Sequence, residues 1–146
     1  MSKLYFNRKP MPIFPEHRPI YKISQILLIL CMSSRGGKSS LIRLHLINWA
    51  LKKEERKRVL IESVKREVVD FGVWGIDPSL NYALQYGVAD HLLENTNSGY
   101  RVTEKGRLFF KDKSLPSIMK EESYFLTELG FRLTESMVEE VAKGWG

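Results

Sequence analysis

The run Ile26-Leu27-Leu28-Ile29-Leu30-Cys31-Met32, with Ile23 just before it, is the longest apolar stretch in the chain and its strongest folding constraint. A membrane-spanning helix needs about 20 apolar residues, far more than this run supplies. It is followed by Ser33-Ser34-Arg35-Gly36-Gly37-Lys38, not by a small-residue cleavage site, so a signal peptide is a poor fit. A cytoplasmic location, without membrane association, is therefore expected. The pattern is helical from Ile20, Ser24 is a plausible cap, and apolar residues fall on nearly every face, which predicts a central helix covered on all sides. A chain of 146 residues supplies one domain with appended arms around such a helix, not two domains.

Composition excludes several chemistries. A single cysteine, Cys31, rules out a disulfide framework and a cysteine-rich zinc site. His17, His45 and His91 lack metal-ligand spacing, and Cys31 with His45 reads as core packing rather than a nucleophile and its base. Arg35-Gly36-Gly37-Lys38-Ser39-Ser40 resembles a phosphate loop only at its end. Met32 stands where the first glycine is required, and an apolar helix precedes where a strand should be, so the segment reads as a basic turn between two helices. No catalytic constellation, cofactor site, metal site or small-molecule substrate is expected, and the chain is read as a non-enzyme.

The prolines organise the N-terminus. Pro10, Pro12, Pro15 and Pro19 make residues 1–19 an extended arm, which also carries apolar Tyr5, Phe6, Ile13 and Phe14. After the central helix, an amphipathic helix is predicted over about 40–52, with Leu41, Leu44 and Leu51 at helical spacing, and another over 54–68. Asp77-Pro78 predicts a helix start and a helix running to about Tyr86 or Ala89. Residues 91–94 and 100–102 read as strands joined by Asn95-Thr96-Asn97-Ser98-Gly99, a hairpin turn, and Thr103 caps a helix to Phe110. Helices over about 116–129 and 134–142 complete the chain, separated by Gly130. The expected fold is mainly α with a small β-hairpin: a winged helix-turn-helix domain at 20–113, with one helix inserted, and a C-terminal helical extension at 114–146.

Charge placement then argues about partners. The net +6 suggests nucleic acid, but its blocks differ: +4 over 1–23, +7 over 35–66, −5 over 67–98, +4 over 99–120 and −4 over 121–146. A DNA-reading winged helix puts the helix before its wing into the major groove and offers Arg, Lys, Asn or Gln there. Here that helix, 78–89, has no Lys or Arg, lies between Asp77 and Asp90, and offers only Asn81 and Gln85. Candidate nucleic-acid contacts are therefore displaced to Arg35, Lys38, Arg43, Lys52, Lys53, Arg56, Lys57 and Arg58, where sequence-blind DNA binding is the expectation and a solvated face is the plainer reading. Candidate partner-protein contacts are the aromatics Phe6, Phe14, Trp74, Tyr124, Phe125, Phe131 and Trp145. The tail is rich in apolar groups beside six Glu, and these must be buried on the domain or on another chain.

Four stretches carry a family resemblance. Arg18-Pro19-Ile20-Tyr21-Lys22-Ile23-Ser24-Gln25-Ile26-Leu27-Leu28-Ile29-Leu30, then Ser34-Arg35-Gly36-Gly37-Lys38-Ser39-Ser40-Leu41 with Leu44-His45-Leu46-Ile47-Asn48-Trp49-Ala50-Leu51, and Val73-Trp74-Gly75-Ile76-Asp77-Pro78-Ser79-Leu80-Asn81 together resemble the small middle component of bacterial three-component ABC-ATPase systems. Those systems are similar to the Lamassu type of anti-phage and anti-plasmid defence. The resemblance implies a non-catalytic adaptor that links a chromosome-maintenance-like ABC ATPase to an effector subunit, commonly a nuclease, with a winged helix gripping the ATPase. The alternative, from the fold and the basic total, is a winged-helix DNA-binding transcriptional regulator.

Overall fold

A computed structural model describes residues 19–68 and 76–143. The first element is helix α1, Pro19–Met32. Proline at its first position costs no hydrogen bond and fixes a helical φ, so the helix starts before Ser24 rather than at it. Ser24 lies a turn inside, with its hydroxyl donating to the Ile20 carbonyl at 2.8 Å. Every residue from Lys22 to Leu30 is buried.

Gly36 and Gly37, at φ 67° and 69°, then turn the chain through a single 3₁₀ turn. The basic turn expected up to Ser40 stops there, and the chain continues as a strand, β1, Lys38–Ser40. This strand has no alternating apolar pattern of its own and is defined by its pairing partner. The partner is the second strand of the hairpin formed by β2, Leu93–Asn95, and β3, Gly99–Val102. The sheet is antiparallel in the order β1-β3-β2, with Lys38 opposite Arg101 and Ser40 opposite Gly99. Glycine is required at 99 because a Cβ there would lie 2.0 Å from the Ser39 carbonyl oxygen. His91 and Leu92 fall outside the hairpin, His91 at φ 63° in the left-handed region, so the first strand is shorter than the sequence suggests.

Helix α2, Leu41–Leu51, is capped by the Ser40 hydroxyl, which accepts from the Arg43 N–H. The sequence predicts an amphipathic helix here, yet residues 43–48 and Ala50 are all buried, because α1, α3, the sheet and the last helix enclose it. Helix α3, Glu54–Lys65, ends earlier than 68, the chain reversing through Glu67 at φ 58°. Helix α4, Pro78–Ala89, starts where Asp77-Pro78 predicts, with the Asp77 carboxylate accepting from the Ser79 N–H. Helix α5, Glu104–Asp112, is capped by Thr103. The single helix expected over 116–129 is two, α6, Leu115–Ile118, and α7, Lys120–Leu129, broken at Met119 (ψ 66°). Helix α8, Glu135–Lys143, comes last.

The molecule is thus mainly helical with a small three-stranded antiparallel sheet. Helices α2, α4, α5, α6 and α7 and strand β3 all touch α1. Much of the apolar tail is buried on the domain: Met119, Phe125, Leu126, Leu129, Leu133 and Val138 belong to the same core as Ile26 and Leu84. Among the described residues no helix is long and apolar enough to cross a membrane.

Leu28 in α1 is fully buried, whereas Leu108 in α5 is 52% exposed. Leu28→Ala should therefore cost about 3–5 kcal/mol of unfolding free energy in urea, and Leu108→Ala about 0.5 kcal/mol or less.

Candidate functional site

The element that the sequence marks for partner recognition is α4, and its N-terminus is fixed by a polar junction. Asp77 places one carboxylate oxygen on the Ser79 N–H (3.0 Å) and hydroxyl (2.8 Å). The other oxygen accepts from the Asn48 amide (3.1 Å) and pairs with Lys52 at 2.9 Å. Lys22, buried in α1, donates to the Asn48 Oδ1 at 2.9 Å and lies 3.9 Å from Asp77. Burial alone would raise the Asp77 carboxyl, but the bonds from Lys52, Ser79 and Asn48 outweigh it and hold the group well below the usual carboxylate range.

His45 ties the next turn of α4 to α2. Its Nδ1 accepts the Asp77 N–H at 3.4 Å, which leaves Nε2 as the protonated nitrogen, donating to the Asn81 Oδ1 at 3.2 Å. Burial lowers its pKa, opposed only in part by the Asn81 bond and the Asp77 charge, so protonation of the ring is disfavoured. The surface of α4 is affected in two ways. Asn81, one of two side chains available to read a base, is engaged inward. The buried face of the helix, Leu80, Ala83, Leu84 and Gly87, then fixes which residues face solvent.

That outer face is Pro78, Tyr82, Gln85, Tyr86 and Ala89, at the i, i+4, i+7, i+8, i+11 spacing of one helical stripe. It carries no charged side chain. Tyr82 is 66% exposed and Tyr86 57%, and Ile76, just before the helix, is 67% exposed. The exposed faces of α3, α5, α7 and α8 all carry charged side chains, which this stripe does not. Tyrosines in such a position present a large rigid surface with a polar tip, the character of a protein-contact anchor. Sequence reasoning singles out the helix but not Tyr82 and Tyr86. Their signal is there, four residues apart and off the Leu80–Leu84 face.

The candidate nucleic-acid contacts do not form one surface. Arg43 is buried: its guanidinium donates to the Leu133 carbonyl (2.8 Å), the Ser34 hydroxyl (2.8 Å) and the Ser33 carbonyl. Its charge is used to close the chain around α2 and no phosphate reaches it, which corrects the expectation drawn from sequence. Lys52 is held by Asp77, and Arg56 lies over the Trp49 ring while donating to its carbonyl. Lys57 pairs with Glu54 and lies 6.0 Å from the Phe125 ring centre. Arg35 stacks on Phe131. Lys38, Lys53 and Arg58 are exposed, Lys38 on β1 and the other two at α3.

Of the candidate partner contacts, Phe125 is core, which corrects that expectation too: it lies on the face of α7 that packs against α3. Tyr124, the preceding residue of α7, is 83% exposed, and Phe131 is 46% exposed. Phe6, Phe14, Trp74 and Trp145 lie outside the described residues, as does the arm before Pro19. Burial raises the Cys31 thiol, with the Arg107 charge opposing, so it is a poor thiolate source. Among the described residues no group of three or more His, Cys, Asp or Glu could hold a metal ion.

Arg43→Ala leaves two buried carbonyls and a hydroxyl without their donor and should cost about 3 kcal/mol in urea unfolding, whereas Lys53→Ala should change stability by less than about 0.5 kcal/mol. Protonating His45 is opposed in the folded state and free in the unfolded one. Stability should therefore be full above the ordinary histidine pKa of 6.5 and fall as pH drops below it. Unfolding free energies measured between about pH 7.5 and 5.5 should show this slope, and His45→Gln should flatten it.

None of the protein-family models, curated proteins or solved structures compared with this chain matches it.

Proposed function

We propose that this chain is a non-catalytic adaptor subunit with a winged helix-turn-helix core, linking a chromosome-maintenance-like ABC ATPase to an effector, most readily a nuclease, in a defence complex. The observation that carries the adaptor reading is the uncharged stripe of α4 with Tyr82 and Tyr86 outermost. Element order supports the winged-helix core: helix, strand, two helices, the α4 helix and a hairpin, with the early strand β1 pairing to the far strand β3. In a winged helix α4 is the element that meets the partner. A DNA reader needs cations there to displace counterions and donors to read base edges. This helix has no cation, Asn81 is engaged by His45, and only Gln85 is left. The partner implied is a protein surface with apolar grooves for the two tyrosines.

Genomic context and reconstitution test the reading. The genes beside this one should include an ABC-type ATPase, and co-expression should give a complex that stays together on size exclusion. Tyr82→Ala with Tyr86→Ala should weaken that complex by at least about tenfold, as for interface anchors, while leaving the folded stability of the chain within about 1 kcal/mol. A chain that elutes as a monomer beside both co-expressed proteins overturns the adaptor. Sequence-selective DNA binding that survives competitor DNA and is lost in Gln85→Ala would establish the transcriptional regulator instead.

A further inference from the structure

Helices α3 and α7 pack against each other and leave an open groove of about 1340 Å³ between them, extended on the α7 side by Pro116 of α6. Ile61 of α3 and Phe125 of α7, both buried, line its floor, and the Lys57 Nζ lies 6.0 Å from the Phe125 ring centre. Tyr124 lines the groove from α7 and is 83% exposed, more than any other large apolar side chain among the described residues.

The two walls differ in charge. On α3, Lys57 is taken up by Glu54 at 2.9 Å, which leaves Arg58 and Lys65 beside Glu62. On α7, Glu121 and Glu128 line the groove beside Lys120. The α3 wall is therefore cationic in excess and the α7 wall anionic in excess. None of the ion pairs among the described residues joins α3 to α7, so the two walls do not neutralise each other by contact within the chain.

We propose that this groove is the interface of a symmetric homodimer, in which each copy lays its α7 edge along the α3 wall of the other and places Tyr124 in the other's groove. A two-fold axis makes every contact twice with the roles exchanged, so a surface binds its own copy only if it carries both halves of the match. A basic wall beside an acidic one meets that condition: α3 of each copy faces α7 of the other, with cations opposite carboxylates at both places. A nucleic-acid backbone would be repelled by Glu121 and Glu128 on the α7 wall. Tyr124 supplies a large, rigid anchor with a polar tip, and the floor of Ile61 and Phe125 supplies the apolar surface that receives it. No residue of the α4 stripe lines this groove, and the inference does not rest on the adaptor reading.

Sedimentation equilibrium of the full chain at low salt should show monomer in equilibrium with dimer. Arg58→Glu with Lys65→Glu makes both walls acidic, and Glu121→Lys with Glu128→Lys makes both basic. Each pair of changes should weaken self-association at least about tenfold, through like charges brought together at both places. An equimolar mixture of the two variants should restore a dimer containing one of each, identified by its mass in native mass spectrometry. Tyr124→Ala should weaken the natural dimer about tenfold, and Tyr82→Ala with Tyr86→Ala should leave it unchanged. Circular dichroism of each variant tells a lost interface from a lost fold. A chain that stays monomeric at about 100 μM overturns the dimer. So do charge variants that self-associate as the natural chain does, folded charge variants whose mixture stays monomeric, or a dimer lost with Tyr82 and Tyr86 but not with Tyr124.

Discussion

Burial of α1 on every side is the constraint on which the rest of the architecture depends. Ile26, Leu27, Leu28 and Leu30 are fully inaccessible and Ile29 nearly so. Each such side chain contributes about 1.5–3 kcal/mol when withdrawn from water, so consecutive positions on all faces can be satisfied only by elements arriving from several directions. Helices α4, α5 and α7 and strand β3 do this together. That is why the helices after residue 114, which read as an extension, contribute Leu126 and Leu129 to the same core. A helix with one apolar stripe could have been served by a smaller domain; this one recruits most of the chain.

Enclosing a helix so completely brings polar groups inside, and these give the packing its register. Lys22 sits at the start of the buried run and is accommodated because Asn48 and Asp77 meet it at the start of α4. Arg43 does the same at the other end of α2, fixing the chain before α8 through Ser33, Ser34 and Leu133. Unpaired, either cation would be costly. Paired, each accepts only one arrangement of the elements around it, so α4 and the α7–α8 connection are placed by hydrogen bonds as well as by apolar contact. Gln25, whose Oε1 is buried without a partner while its amide reaches Glu122, is the exception among the described residues.

Local chemistry is legible in sequence and long-range partnership is not. Asp77-Pro78, Thr103 and Gly130 mark boundaries through their own backbone preferences, and the structure places them at helix ends. Ser24 has the chemistry of a cap, but Pro19 starts the helix first. Strand β1 has no periodicity to detect because three residues pair only when Gly99 allows β3 to approach. At the site, the acidic bracket and missing cations of α4 can be read directly. The inward use of Arg43 and of Asn81 cannot, since each depends on a residue more than 30 positions away: Leu133 for one and His45 for the other.

Net charge is the property most changed in meaning by the structure. A total of +6 favours a polyanion at long range, but contact is decided where cations are free to meet it. Arg43 is buried, Lys52 and Lys57 are paired, and Arg35 and Arg56 lie over aromatic rings. The helix expected to enter a groove is uncharged on its outer face. Lys38 is an exposed cation of the early segment and stands opposite Arg101, which Glu94 pairs. A chain can therefore be basic in sum and still carry an uncharged helix face, because many of its cations are engaged by partners within the fold.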